Sequence, residues 1–195
     1  MKIVGIYLTL LASSIVASAA FAQAVPGDQQ RDVNQQARIE QGLKDGQLST
    51  KEAGQLERGQ QHVDHMEARD LKNGSISPAE QARLNAAQNR QSQAIYNDKH
   101  NGVTGNPNSA SSQRMQADVQ RNVNQEKRIE QGVQSGQLTN REVGKLEGGQ
   151  ARVDRREARA GADGHVGRAE ERGIQTAENR QSRRIFNQKH DGQKR

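Results

Sequence analysis

Two histidines one helical turn apart are the residues whose types most directly suggest metal chemistry. His62 and His65 stand three positions apart with Asp64 between them. Residues three apart share one face of a helix, and imidazole nitrogens bind copper, nickel and zinc. Ninety positions later the chain repeats itself with Arg152 and Arg155 in these places. The loss of both histidines favours a solvated surface pair, with a metal site as the alternative.

A second group of candidate residues is basic and lies in the last third of the chain. The arginines that could bind a polyanion are Arg152, Arg155, Arg156, Arg159, Arg183 and Arg184. The net charge is +6, and residues 121–192 hold 15 basic and 11 acidic side chains against 10 and 10 in residues 31–102. Such an excess attracts lipopolysaccharide, anionic lipid or extracellular DNA. Asp154, Glu157 and Glu178 interleave with the arginines, and we interpret them as ion-pair partners on a solvated face.

No segment carries a recognisable catalytic motif. There is no nucleophile elbow, phosphate loop, dinucleotide fingerprint, His-Glu-x-x-His zinc motif or specific nucleic-acid motif. The chain has no Cys, which excludes disulfides, thiol catalysis and cysteine metal sites. The repeated Asn-Arg-Gln-Ser segments, residues 89–92 and 179–182, are interpreted as a polar seam between helices, with a ligand-contacting strip as the alternative. We therefore predict a protein that is not an enzyme and needs no cofactor.

The N-terminus has the pattern of a secretory signal peptide over residues 1–22. Lys2 precedes an apolar run from Ile3 to Val16, and Ala20-Phe21-Ala22 forms an Ala-x-Ala site with cleavage expected after Ala22. The apolar run is shorter than the about 20 residues that cross a bilayer. We expect a periplasmic or secreted protein without a membrane span, beginning with a disordered leader over residues 23–30.

The rest of the chain is built twice. Residues 31–102 align without a gap to residues 121–192, and 36 of the 72 pairs are identical. This self-similarity indicates duplication of a whole structural unit. Between the copies, residues 101–112 are rich in Gly, Asn, Ser and Pro, which is typical of a flexible linker, and we predict such a linker over residues 103–120. Residues 193–195 form a basic tail.

Each copy contains two signals for one helix ending and the next beginning. In the first, Gly46 suits a left-handed C-cap, Ser49 an N-cap and Glu52 the third helical position of a capping box. The last signal of the second copy has Gly167 where Ser77 stands in the first, a weaker cap. The signals predict helices at about 31–44, 50–72 and 78–100, repeated at 121–134, 140–162 and 168–190. The predicted fold is all-α, with two tandem three-helix antiparallel units joined by a flexible linker.

The first turn partly resembles the calcium loop of EF-hands. Gly46, Leu48 and Glu52 match positions 6, 8 and 12 of that loop, whereas positions 1 and 3, normally acidic, are Gln41 and Leu43. The match implies Asp45 and Glu52 as cation ligands. The two missing acids leave too few oxygens for Ca²⁺, which takes six to eight.

A second resemblance covers both repeats. It rests on Arg128-Ile129-Glu130-Gln131-Gly132, Ser135-Gly136-Gln137-Leu138-Thr139, Glu157-Ala158-Arg159 and Glu178-Asn179-Arg180-Gln181-Ser182. These segments resemble uncharacterised small exported helical-repeat proteins of Gram-negative bacteria, betaproteobacteria in particular. The resemblance implies export and helical repeats, and no activity. We expect an exported non-enzymatic protein with a binding, structural or envelope-stress role and a protein or envelope component as partner. Divalent-metal binding and polyanion binding are the two alternatives.

Overall fold

The computed structural model describes residues 17 to 193, with side chains from residue 25 onward. Its six helices are α1 (Ala17–Lys44), α2 (Thr50–Asp70), α3 (Pro78–Lys99), α4 (Ala110–Gln134), α5 (Asn140–Ala160) and α6 (Arg168–Lys189), with a 3-10 turn at Leu71–Asn73. The all-α class is confirmed. No helix among these residues is both long and apolar enough to cross a bilayer. The predicted signal peptide falls mostly outside the described residues, so cleavage after Ala22 and export stay predictions.

At the two turns inside each repeat the helices begin and end at the predicted capping residues, whereas α1 and α4 begin well before the predicted residues 31 and 121. The glycines that end the first two helices of each repeat, Gly46, Gly74, Gly136 and Gly164, have φ of +71°, +93°, +71° and +86°. At the start of α2, Glu52 N donates to Ser49 Oγ at 3.2 Å, and Ser49 N donates to Glu52 Oε2 at 2.9 Å. Gly167 has only the second of these bonds, from its N–H to Glu170 Oε2 at 2.8 Å. Gly167 is thus the weaker N-cap that the sequence predicts.

The helices of the two repeats pack mainly against each other. The most extensive contacts join α2 to α5 and α1 to α4, while α3 lies on α1 and α2, and α6 lies on α4 and α5. A Cβ atom on Gly54 would lie 2.9 Å from Gly161 Cα, and one on Gly144 would lie 2.9 Å from Leu71 Cβ. The start of each middle helix therefore meets the end of the other, which makes α2 and α5 antiparallel. Two separate three-helix units are not what this arrangement shows.

Two hydrophobic clusters form the core, and each contains residues of both repeats. The first consists of Val25, Val63, Met66, Leu71, Ile76, Leu84, Ala87, Ile129, Val133, Leu138, Val143, Leu146 and Ile185. The second consists of Ile39, Leu43, Leu48, Ala53, Leu56, Ile95, Met115, Val119, Ala160, Val166 and Ile174. Equivalent residues such as Leu56 and Leu146 lie in opposite clusters. The two repeats are therefore related by an approximate twofold axis.

The two segments predicted to lack structure are largely ordered, and those predictions are wrong. Residues 25–30 of the supposed leader belong to α1, where Val25 enters the first cluster and Gln29 Nε2 donates to Glu67 Oε2 at 2.9 Å. These contacts keep the segment helical despite Pro26. Residues 110–120 of the supposed linker begin α4. The connection before α4 is held to the first turn, because Gly105 N donates to Gly46 O at 2.9 Å.

Candidate metal centre

Acidic side chains occupy the interior of this fold. Of the 23 Asp and Glu residues, 16 are buried, and none of the described Lys or Arg residues is buried. An ionised carboxylate is costly to bury without a counter-charge, so such a group either holds a proton or meets a cation. Hydrophobic burial alone does not explain an interior of this composition.

The central carboxyl groups come from one stripe repeated on two helices. On α2 the stripe is Glu57, Gln60, Asp64 and Glu67, and on α5 it is Glu147, Gln150, Asp154 and Glu157. Spacings of three and four residues place each set of four on one helix face. Because α2 and α5 pack antiparallel, the two stripes face each other between the hydrophobic clusters. Helices α1 and α4 add Asp32, Gln36, Asn122 and Glu126.

Carboxylate site A consists of Glu57, Asp154 and Glu157, which are all fully buried and whose carboxylate oxygens lie within 4.8 Å of one another. One oxygen of each is held by a carboxamide. Gln36 Nε2 donates to Glu57 at 3.1 Å, and Asn122 Nδ2 donates to Glu157 at 2.7 Å and to Asp154 at 3.4 Å. Among the described residues, the other oxygen of each has no hydrogen-bond partner. Site A therefore offers three free oxygens on oriented carboxyl groups.

Carboxylate site B consists of Asp64, Glu126 and Glu147, again within 4.8 Å and no more than 2% exposed. Neither oxygen of Glu147 has a hydrogen-bond partner, and Glu126 Oε2 has none. Gln150, which is 1% exposed, interacts with Glu126, yet neither of its amide atoms makes a well-formed hydrogen bond. A buried amide and a buried carboxyl without partners are costly. Site B thus lacks a bonding partner at its centre.

Sites A and B meet at the middle of the molecule. Asp64 of site B and Asp154 of site A are equivalent residues of the two repeats. Both are buried on facing helices, and the charge of Asp154 is one of the causes that raise the pKa of Asp64, after burial. The two sites therefore form one continuous row of carboxyl groups along the α2 and α5 interface.

Burial raises the pKa of every carboxyl in the two sites. The pKa of Glu57 rises to about 7 and that of Glu126 to about 8, chiefly because burial disfavours the charged form. Burial followed by repulsion from neighbouring acids raises the pKa of Asp64, Glu147, Asp154 and Glu157 well above the ordinary range. A cation among these oxygens would displace the protons and stabilise the charged carboxylates.

The donor set determines which cations fit. All the candidate ligand atoms are carboxylate or amide oxygens, the kind that Mg²⁺, Ca²⁺ and Mn²⁺ prefer over softer metals. Oxygens on opposite sides of a Ca²⁺ ion, each at about 2.4 Å, are about 4.8 Å apart. The spacing of the three oxygens in each site is compatible with that geometry. Bundle proteins build such centres from carboxylates on facing helices.

The metal ligands predicted from the sequence lie elsewhere. His62 and His65 are exposed on α2, on the side opposite the buried Asp64. Asp45 is exposed and accepts a hydrogen bond from Gln41 Nε2 at 2.7 Å. Both oxygens of Glu52 are engaged, Oε2 in the capping box and Oε1 by Asn101 Nδ2 at 2.8 Å. None of the four belongs to a ligand cluster among the described residues.

The predicted polyanion-binding residues are all exposed, but their assumed ion-pair partners are not. Arg152, Arg155, Arg156, Arg159, Arg183 and Arg184 lie on the surface of α5 and α6. The interpretation of Asp154, Glu157 and Glu178 as surface partners is wrong, because all three are fully buried. Their positions on α5 and α6 point inward, whereas the arginines between them point outward. Of the three, Glu178 alone forms a salt bridge with a described basic residue, Arg121, whose Nε lies 3.0 Å from it.

In each repeat, the polar segment that begins with Arg38 or Arg128 is hydrogen-bonded to the Asn-Arg-Gln-Ser segment. Arg38 Nη1 donates to Ser92 Oγ at 3.1 Å, and Arg128 Nη1 donates to Ser182 Oγ at 2.7 Å. Gln91 Nε2 donates to Leu56 O at 2.9 Å, and the corresponding bond occurs in the second repeat. The Asn-Arg-Gln-Ser segments therefore serve as the predicted seam between helices. The same bonds give Arg38 and Arg128 a structural role that does not require an external partner.

The sequence contained a signal for the buried row, namely identical polar residues at helical spacing. The stripe of Glu, Gln, Asp and Glu is the same in both repeats at spacings of three, four and three. Apolar residues at those spacings indicate a buried face, and here polar residues take that face. Comparisons with protein-family models, curated proteins and solved structures give no match.

Proposed function

We propose that this chain is an exported, non-enzymatic protein that binds divalent cations in its interior, with Ca²⁺, Mn²⁺ and Mg²⁺ as the candidate ions. The observation that carries the proposal is the geometry of site A. Each of Glu57, Asp154 and Glu157 has one oxygen oriented by a carboxamide and one without a partner. Carboxamides that orient a ligand from behind are a common property of metal sites.

Cation binding would also join the two repeats. Site A combines Glu57 of α2 with Asp154 and Glu157 of α5, and site B combines Asp64 of α2 with Glu126 and Glu147 of the second repeat. An ion in either site stabilises the folded chain, because the unfolded chain does not bring these residues together. The expected gain is about 2.7 kcal/mol at a cation concentration one hundred times the dissociation constant.

The test is equilibrium dialysis of the full mature chain against Ca²⁺, Mn²⁺ or Mg²⁺ near neutral pH, followed by metal analysis. We expect up to two ions per chain. Glu57→Gln should remove the ion of site A, and Glu147→Gln the ion of site B. Asp45→Asn, which removes an exposed carboxyl, is the matched control and should leave the stoichiometry unchanged.

Thermal unfolding by circular dichroism supplies a second measurement on the same variants. The melting temperature should rise with the cation and return to its starting value with EDTA. A chain that is folded near neutral pH, binds no ion and melts at the same temperature with every cation would hold its carboxyl groups as protonated acids. That result would contradict the proposal.

A further inference from the structure

A cationic groove lies on the surface of α5, away from the interior carboxylate sites. The inference drawn from it does not depend on those sites. The groove has a volume of about 670 Å³ and lies between the end of α2, the start of α5 and the end of α6. Its basic lining residues are Lys72, Arg141, Lys145, Arg152 and Arg184, and no acidic residue lines it. The size falls within the range of small-molecule sites.

The five basic side chains have no anionic partner within the described residues. None of them forms a salt bridge there. Arg141 Nη2 donates to Asn73 O at 3.3 Å, a backbone acceptor that leaves its charge uncompensated. Burial, then the charges of Arg184 and Arg155, lower the pKa of Arg152. The clustered positive charges favour the binding of an anion.

Duplication alone does not produce this cluster. The equivalent positions of the other repeat hold Ala162 for Lys72, Lys51 for Arg141 and Gln55 for Lys145. They hold His62 for Arg152 and Ala94 for Arg184. One basic residue out of five is thus common to both sides. The charge of the groove is a property of one side of the molecule, unlike the helix caps and polar seams that both repeats share.

Small residues form the floor between the basic side chains. Gly144, Gly148 and Ala68 line the groove, and a Cβ on Gly148 would lie 3.4 Å from Ala68 Cβ, so these small residues let α2 and α5 approach closely between the basic side chains. Arginine presents a planar fork that binds phosphate through two parallel hydrogen bonds, and lysine adds a point charge. Five basic side chains are more than a single phosphate group can bind at once.

We propose that this groove binds an anion carrying two or more phosphate groups. Free oligophosphate and a phosphorylated lipid headgroup share this chemistry. Arg152 and Arg184 contact the phosphates from one side, and Lys72, Arg141 and Lys145 contact them from the other. Of the six arginines predicted to bind a polyanion, only Arg152 and Arg184 line the groove. Lys72, Arg141 and Lys145 are added to them.

The experiment is calorimetric titration of the full chain, freed of divalent cations, with tripolyphosphate. A parallel arm measures sedimentation with phosphatidylcholine vesicles with and without cardiolipin. Arg152→Gln/Arg184→Gln should weaken binding about tenfold or more. Arg156→Gln/Arg159→Gln removes the same charge outside the groove and should change binding much less. Circular dichroism confirms that both variants remain folded.

Each outcome decides the proposal. Groove-selective loss of tripolyphosphate binding supports it with a free anion as the ligand, and groove-selective loss confined to cardiolipin vesicles supports it with a lipid headgroup. Equal loss in the two double variants on both probes would show attraction by net charge and overturn it. Absence of binding to either probe also overturns it. Because the titration contains no divalent cation, its result is independent of the interior carboxylate sites.

Discussion

Sites A and B are built around equivalent positions of the two repeats, since Glu57 and Asp154 correspond to Glu147 and Asp64, while Glu157 corresponds to Glu67 beside site B. Two of the surrounding positions differ. Gln36 and Asn122 donate hydrogen bonds to the carboxyl groups of site A. At the equivalent positions around site B the chain has Glu126 and Asp32. Two carboxamide donors on one side thus correspond to two further carboxyl groups on the other. The carboxyl groups of site A are partly stabilised by hydrogen bonds from the chain itself, whereas site B depends more on protons or a cation.

The difference shows how one scaffold sets the charge of two sites separately. Around site B, Glu67 accepts hydrogen bonds from Gln29 at 2.9 Å and Gln88 at 3.3 Å, which satisfies that carboxyl. Glu147 at the centre remains without partners. A more negative site attracts a cation more strongly and also costs more when it is empty. We therefore expect site B to bind its cation with higher affinity than site A.

Separating the repeats should have the largest effect, because it breaks both sites and both hydrophobic clusters together. Residues 23–105 alone lose two of the three carboxyl groups of each site and about half of each cluster. We expect no folded species of the mass of one repeat by circular dichroism and analytical ultracentrifugation. A cooperative melt from a single separated repeat would contradict the interleaved arrangement. Mixing the two halves should restore helicity.

The pH dependence of stability should have the next largest effect. In the folded chain the pKa of Asp118 is raised to about 7 by burial and then by Glu171 and Glu57, against Arg121. The pKa of Glu178 is raised to about 8 by burial and then by Asp118, again against Arg121. Because the folded values exceed the unfolded ones, this stability is present in acid and is lost as pH rises from about 4 through 7 to 8.

Cation-free protein should therefore be less stable near pH 8 than near pH 5 in urea titrations. Asp118→Asn/Glu178→Gln should reduce that loss by at least about 2 kcal/mol, since each pKa unit corresponds to about 1.4 kcal/mol. Asp163→Asn, at an exposed turn, is the control. A wild-type stability that increases between pH 5 and pH 8 would mean that these groups are ionised in the folded chain.

Exchanging the differing residues should convert one site into the other. Asp32→Asn/Glu126→Gln gives site B the carboxamides of site A, and we expect its cation affinity to fall about tenfold. Gln36→Glu/Asn122→Asp makes the opposite change and should strengthen binding at site A. Calorimetry with Mn²⁺ or Ca²⁺ measures both. If the two exchanges shift affinity in the same direction, the carboxamide positions do not set the difference between the sites.

The smallest effect should come from the cap that differs between the repeats. Gly167 has a φ of −80°, which any residue adopts, and an added Cβ would have its nearest contact at 3.4 Å, with Glu170 Oε2. Gly167→Ser restores the hydroxyl acceptor that Ser77 supplies to α3. The expected gain is a few tenths of a kcal/mol. Ser77→Gly should cost a similar amount, and chemical denaturation of both variants checks the pair.

The helix ends at the turns inside each repeat could be predicted from the sequence, because capping is local, whereas the starts of α1 and α4 could not. Gly46, Ser49 and Glu52 specify an end and a start within seven residues, and the structure follows them. The partners of each helix could not be predicted in this way. Since the repeats are so similar, an apolar stripe on α2 is equally compatible with contacts inside its own repeat and with contacts to the other. Only the tertiary contacts between α2 and α5 distinguish the two.

The candidate site was missed for a related reason. Polar side chains normally indicate a solvated face, and Asp154 and Glu157 have arginines as sequence neighbours that suggest ion pairs. Which face of a helix is buried is normally recognised from its apolar residues. The four-residue stripe of α5 is entirely polar, so the sequence did not mark that face as buried. Asp45 and Glu52 match positions of the EF-hand calcium loop, but in the structure Asp45 follows the end of α1 and Glu52 completes the capping box of α2. Composition likewise could not indicate that 16 of the 23 acids are buried.

The approximate twofold axis between the repeats has a consequence for how these sites can diverge. A twofold dimer of one repeat would contain two copies of the same site, and any substitution would alter both. With both halves in a single chain joined by residues 101–109, a substitution alters only one site. The pairs Gln36 with Glu126 and Asn122 with Asp32 are such independent changes. Covalent fusion of a symmetric pair thus allows two ligand sites with different chemistry to share one interface.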